Sequence, residues 1–138
     1  MTTRVQGEVL IAGTAEAPVL CLGKPISFWG GVDPFSGRIT DPRHPDHGAV
    51  IGGSVLVLPG TIGSSSSSAV MLELMAGGHA PAALILAEPD AILVLGVVVA
   101  REMGYGAIPA LIVRREDQAA FAGATRAAIA EDGSVSVR

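Results

Sequence analysis

The stretch Leu56–Leu74, LVLPGTIGSSSSSAVMLEL, decides how the chain is read. It begins as an apolar run, breaks at Pro59-Gly60, passes through the five serines Ser64–Ser68, and continues with Val70, Met71, Leu74 and Met75 at helical spacing. The β-branched and leucine-rich run predicts a strand over Ser54–Leu58, buried on both faces. The apolar stripe predicts a helix over Ser65–Ala76, stopped by Gly77-Gly78. Ala82–Ala87 reads as a second buried strand. Asp90 is placed to N-cap a helix that runs through Met103 and stops at Gly104, and Ala110–Val113 follows Pro109 as a third strand. Strand–helix–strand–helix–strand implies parallel pairing with right-handed crossovers.

The two ends are strand-rich. Val5–Ala12 and Pro18–Leu22 are predicted strands around a Gly13–Ala17 turn. Thr125–Ala130 and Ser134–Arg138 flank Glu131-Asp132-Gly133, a hairpin signal, and Glu116–Ala122 is a candidate short helix. These elements make one α/β domain over residues 1–138, a β/β/α sandwich rather than a doubly wound sheet. Lys24–Gly53 is proline- and glycine-rich without a persistent period, and a loop of that length is functional or disordered. Phe28-Trp29 argues for order, with Trp29 as the packing anchor of the loop or a hot spot for a partner.

Composition narrows the function. Of 138 residues, 49% are hydrophobic and only 16% charged, a balance that leaves apolar surface for a partner to cover. The net charge is −4 and no Lys/Arg cluster occurs, so nucleic acid is not an expected partner. One cysteine, Cys21, holds neither an internal disulfide nor an iron–sulfur cluster and reads as a core thiol. The longest greasy stretch, Ala91–Ala100, is too short to cross a bilayer. The N-terminal segment has no signal-peptide character. No membrane contact and a cytoplasmic location are the expectation.

The serine run has two readings. One serine suffices to cap a helix, where its oxygen accepts a backbone N–H and contributes about 1 kcal/mol. Several hydroxyls at a helix N-terminus, with free N–H donors and partial positive charge, also suit an anion or a reactive hydroxyl. GTIGSSSS lacks the lysine of a P-loop, and neither a GxGxxG fingerprint nor a GxSxG elbow is present.

The segments SFWGGVDPFSGRITDPRHPDHG, GSVLVLPGTIGSSSSSAVMLELMAGGHAPAALILAEPDAILVLGVVVAREMG and IPALIV resemble, in order and separation, the small subunit of aconitase X enzymes. The most specific pieces are G-G-V-D-P…G-x-x-T-D and P-x-x-x-G-S-S. The resemblance implies a swivelling β/β/α domain similar to the mobile domain of aconitase. It implies a large subunit as partner, carrying iron or an iron–sulfur cluster, with no cofactor on this chain. The implied activity is a hydro-lyase on a small hydroxy acid: cis-3-hydroxy-L-proline in heteromeric bacterial members, 5-phosphomevalonate in archaeal ones. In that family the serine after the glycine of P-x-x-x-G-S is the proton acceptor, which is Ser64 after Gly63 here. Gly63, Ser65 and Ser66 become substrate-binding candidates, with Ser66–Ser68 also read as caps. Some relatives carry basic residues where this chain has Gly60-Thr61-Ile62, which favours the hydroxyproline substrate. A non-catalytic anion-binding or scaffolding domain is the alternative.

Other polar residues have structural readings. Asp33 and Asp41 are placed to cap turns around Pro34 and Pro42, with Arg38 a candidate carboxylate ligand reaching the cleft. His44 and His47 with Asp41 and Asp46 have metal-donor chemistry, but a proline-broken loop is a poor frame for fixed ligand geometry. His79 follows a helix C-terminus, where its ring suits the dipole. Arg114-Arg115 with Glu116-Asp117 reads as a solvated face.

Overall fold

The computed structural model describes residues 2–138. The strands are β1 (Thr3–Gln6), β2 (Glu8–Ile11), β3 (Ala15–Cys21), β4 (Val55–Leu58), β5 (Ala83–Leu86), β6 (Ala110–Ile112), β7 (Arg126–Ile129) and β8 (Ser134–Val137). The helices are α1 (Phe28–Gly31), a single irregular turn, α2 (Ser67–Gly77) and α3 (Ala91–Glu102); Asp117–Phe121 forms a 3₁₀ turn. All strands join one sheet in the order β1-β8-β7-β3-β4-β5-β6-β2. The central β3-β4-β5-β6 pairs are parallel, as the strand–helix alternation predicts, and the flanking pairs are antiparallel.

The predicted Val5–Ala12 strand is in fact two. β1 and β2 are separated by Gly7 alone, yet they occupy opposite ends of the sheet. The sheet therefore curls until its edges nearly meet, and one kinked segment seams them. A side chain at Gly7 would press on Leu111 at 3.1 Å, and a Cβ at Gly133, whose φ is 86°, would lie only 2.7 Å from the Gly7 carbonyl oxygen. Gly7 N donates to Gly133 O at 2.9 Å, which completes the seam.

Alternation along the strands makes two cores. Val55, Val57, Ala83 and Ile85 point inward with Val5, Leu111, Phe121, Ile129, Val135 and Val137. Leu56, Leu58, Leu84 and Leu86 point outward, where α2 and α3 cover them with Met71, Leu74, Leu93 and Val97. Both faces of β4 and β5 are buried, so neither strand reads as polar/apolar alternation in sequence.

The long loop is ordered because it joins the outer core. Ile26, Phe28, Val32, Ile39 and Ile51 are all buried there, and a buried side chain of that size contributes about 1.5–3 kcal/mol. The role expected of Trp29 falls to its neighbour. Phe28 is 1% exposed and Trp29 61%, because adjacent residues of the α1 turn project to opposite sides. Asp33 and Asp41 cap turns as read: their carboxylates accept from Phe35 N (3.0 Å) and Arg43 N (2.9 Å). The Phe35 N–H, with the Ser36 hydroxyl, holds the Asp33 carboxyl below its ordinary range.

Helices α2 and α3 touch at Gly96. A Cβ there would lie 2.6 Å from Ser68 O and 2.9 Å from Met71 Cβ. Ordinarily Gly→Ala inside a helix gains up to about 1 kcal/mol from propensity. Here a rigid backbone carbonyl blocks the added methyl, and overpacking of that kind costs about 1–3 kcal/mol or more. Gly96→Ala is expected to lower the melting temperature by roughly 3–10 °C in a circular-dichroism melt, where an unobstructed helix site would show a gain.

Candidate functional site

The site is the connection from β4 to α2, which is held at four points. Gln118, buried under the end of β4, donates from Nε2 to Leu58 O (2.9 Å) and Val113 O (3.2 Å). Pro59-Gly60 then turns the chain outward over Pro25. Thr61 forms a parallel bridge with Ile26 on the long loop, and Ile62 N donates to Ile26 O at 3.0 Å. The Thr61 hydroxyl donates to Asp90 Oδ2 at 2.6 Å. Asp90 caps α3 as predicted, its Oδ1 accepting from Leu93 N at 3.0 Å.

The serines follow with an unexpected division of labour. Helix α2 starts at Ser67 rather than Ser65, so Ser66 holds the cap position. Its backbone is helical (φ −80°, ψ −6°) rather than extended, and its side chain makes no capping bond. Ser64 does that work instead: its Oγ accepts from Ser66 N at 3.2 Å and its carbonyl from Ser67 N at 3.1 Å. Ser67 is buried, and Ser68 Oγ donates back to Ser65 O. The capping expected of the Ser66–Ser68 side chains is therefore corrected: Ser66, at the cap position, has helical rather than extended backbone angles and makes no side-chain capping bond. Ser64 is half-buried and Ser65 exposed. An N–H aimed at Ser64 Oγ, together with the positive end of α2, favours negative charge on that oxygen.

A cleft of about 390 Å³ opens beside this loop at the C-terminal ends of β4 and β5. Its floor is Leu58 and Leu86; Gly60, Thr61 and Gly63 form one wall and Glu88–Ile92 the other. Open parallel sheets bind ligands outside these strand ends. Glu88 and Asp90 are the ionisable residues of the lining, and no Lys or Arg joins them. Arg114 and Arg115 lie beyond Pro59 in an adjoining depression that shares Ala87 and Glu88 with the cleft, and Arg114 pairs there with Glu116 (3.5 Å) and Asp117 (3.1 Å).

Of the candidates on this loop Gly63 lines the cleft, while Ser64, Ser65 and Ser66 follow it along the chain and are not part of the lining. Arg38 stays on the long loop, exposed, donating to Gly48 O at 2.8 Å. His44 is buried and structural: Nε2 lies 2.9 Å from Lys24 O, and Nδ1 accepts from Asp46 N at 3.0 Å. Among the described residues no three His, Cys, Asp or Glu side chains converge as a metal site. Thr61, Gln118 and the second role of Asp90 escape a linear reading, because each partner lies 29 or more residues away in sequence.

Known proteins share the sequence and the fold of this chain. The family model for the aconitase X swivel domain matches residues 4–137. The chain is an aconitase X swivel domain. The fold agrees with the crystal structure of holo-form Thermococcus kodakaraensis aconitase X at a TM-score of 0.80 and 28% identity, covering 99% of this chain and 98% of that one. A cis-3-hydroxy-L-proline dehydratase of Pseudomonas aeruginosa is 47% identical over 72% of this swivel domain, and the match spans 17% of that protein's length. A phosphomevalonate dehydratase small subunit of Methanothermobacter thermautotrophicus is 41% identical over 70% of this chain and 73% of its own. The swivel domain thus occurs both inside a longer dehydratase and as a separate small subunit.

Cys21, on β3, points Sγ at Phe121 O (3.4 Å). Burial, reinforced by the Asp46 carboxylate, pushes its thiol above the ordinary range. Since the thiolate is the reactive form, iodoacetamide is expected to label Cys21 more slowly than free cysteine at pH 7. The rate should climb with pH at higher values than for free cysteine. Mass spectrometry of a labelling time course reads both.

Proposed function

We propose that this chain is the small subunit of a hydro-lyase, with Ser64 as the proton acceptor and a large aconitase X subunit completing the site. The observation that carries the reading is the seat of Ser64. It lies three residues ahead of α2, with the Ser66 N–H on its oxygen, and directly follows Gly63, which lines a cleft at the ends of the parallel strands. The substrate that fits best is cis-3-hydroxy-L-proline, the molecule named for the P. aeruginosa relative.

Dehydration removes the proton from C2 and the hydroxyl from C3, and the two leave as water. The electron pair of the C2–H bond forms the C2=C3 double bond, and the resulting enamine tautomerises to Δ1-pyrroline-2-carboxylate. Ser64 Oγ takes the C2 proton. A serine hydroxyl is a poor base in water, so it needs partial desolvation and nearby positive charge; the Ser66 N–H and the α2 N-terminus supply part of this. Ser65 and Ser66 offer further hydroxyl donors to the substrate carboxylate, whose stabilisation matters as charge develops at C2. The leaving hydroxide requires a Lewis acid. Among the described residues no three His, Cys, Asp or Glu side chains group as ligands for one, and this reading assigns the iron to the proposed large subunit.

Charge favours the imino acid over a phosphate ester. A zwitterion with a ring ammonium is compatible with Glu88 and Asp90, whereas a phosphate would meet two carboxylates and no cation in the cleft. A second reading, 5-phosphomevalonate, draws on Arg115 in the depression beyond Pro59 and on the archaeal small subunits.

The test mixes the chain with its large subunit and follows both substrates. The mixture is expected to dehydrate cis-3-hydroxy-L-proline while neither chain alone does so. Ser64→Ala should form the same complex and lose about 10²–10⁴-fold in kcat, the range of a general base. Full activity in Ser64→Ala would falsify the base assignment, and turnover of phosphomevalonate alone would overturn the substrate.

A further inference from the structure

Asp90 has more to do than cap a helix. One carboxylate oxygen accepts from Leu93 N, a bond internal to the α3 N-terminus. The other accepts from the hydroxyl of Thr61 at 2.6 Å, across 29 positions of sequence and on a different loop. A hydroxyl donating to a carboxylate is a charge-assisted bond, shorter and about twice as strong as a neutral one. Thr61 stands three residues ahead of Ser64, with only Ile62 and Gly63 between them. Gly63 has open space where a Cβ would stand and Ile62 is 58% exposed, so packing holds neither in place. The fixed points of this segment are hydrogen bonds: Ile26 O on Ile62 N, Asp90 on Thr61, and Ser66 N on Ser64 Oγ.

We infer that the Thr61–Asp90 pair is a clamp that positions Ser64, making Thr61 and Asp90 positioning residues for proton abstraction. The pair transmits the location of α3 to the loop. Because α3 is itself seated on α2 through Gly96, the clamp fixes the serine against the same rigid body from its N-terminal side. Its effect is geometric. A base displaced by about 1 Å from its near-attack position can lose on the order of 10²-fold in rate. The carboxylate does not touch the reacting atoms; it acts through Thr61 and the loop.

This inference rests on the assignment of Ser64 as the base, and the experiment separates the two. Thr61→Val keeps the shape and β-branching and removes the donor; Thr61→Ser keeps the donor. Backbone ¹⁵N order parameters of Gly63 and Ser64 in the 138-residue chain read loop rigidity without any activity. In Thr61→Val they should fall from rigid values near about 0.85 toward about 0.6, and in Thr61→Ser they should recover. In the complex with the large subunit, Thr61→Val should lower kcat on cis-3-hydroxy-L-proline about 10- to 100-fold with KM within about 2-fold. The kinetic isotope effect with C2-deuterated substrate should rise, because a misplaced base slows proton transfer rather than binding. Thr61→Ser should restore both. Unchanged order parameters, unchanged kcat, or a loss that Thr61→Ser does not repair overturns the clamp. An inactive wild-type mixture sinks the functional reading instead, and the order parameters still decide whether the clamp holds the loop.

Discussion

The missing side chain at Gly96 is the constraint on which the site depends. With Ser68 O only 2.6 Å from where a Cβ would be, α2 and α3 pack closer than any other residue at position 96 would allow. The parallel β4–α2 and β5–α3 connections put both helix N-termini at the same edge of the sheet, and the close packing at Gly96 holds the two helices side by side. Thr61 can then reach Asp90 with a single hydrogen bond, and Ser64, three residues ahead of α2, receives the Ser66 N–H. Separating the helices would lengthen the bond and open the loop together, so packing and site geometry are one problem.

The near-closed sheet supplies the rigid base for this edge. β1 and β2 seam it through Gly7, and the inner core is filled mostly by β-branched and small side chains. The long loop covers part of the outer face and lends Ile26 as a pairing partner for the serine loop. A segment that looks unstructured by composition therefore contributes both to the core and to the site. Trp29 and Ile62, beside the serines, are large apolar side chains left mostly exposed.

The middle of the fold was legible because its signals are local. The apolar runs of β4 and β5, the stripe Val70-Met71-Leu74-Met75, the Asp90 cap and the Gly78 stop (φ 76°) all read directly from sequence to structure. The split at Gly7 was not, since only the sheet order reveals that one extended segment serves two edges. Of the two readings of Trp29 the packing anchor does not hold, because aromatic character does not say which way a turn points its side chains. At the site, the strand–loop–helix order around the serines was readable, while the start of α2 at Ser67 and the bond from Ser66 N to Ser64 Oγ depend on backbone angles. The hold of Gln118 and Asp90 on the loop depends on contacts remote in sequence, which no single-chain periodicity encodes.

The most direct test of the account is a structure of this chain assembled with its large subunit and bound to L-proline, which keeps C2 and the ring ammonium but has no hydroxyl to lose. The account predicts Ser64 Oγ within about 3.5 Å of C2, on the face from which the proton departs, with Thr61 still bonded to Asp90. Ser64 Oγ turned from the ligand and engaged only with Ser66 N, with another side chain at C2, would contradict it.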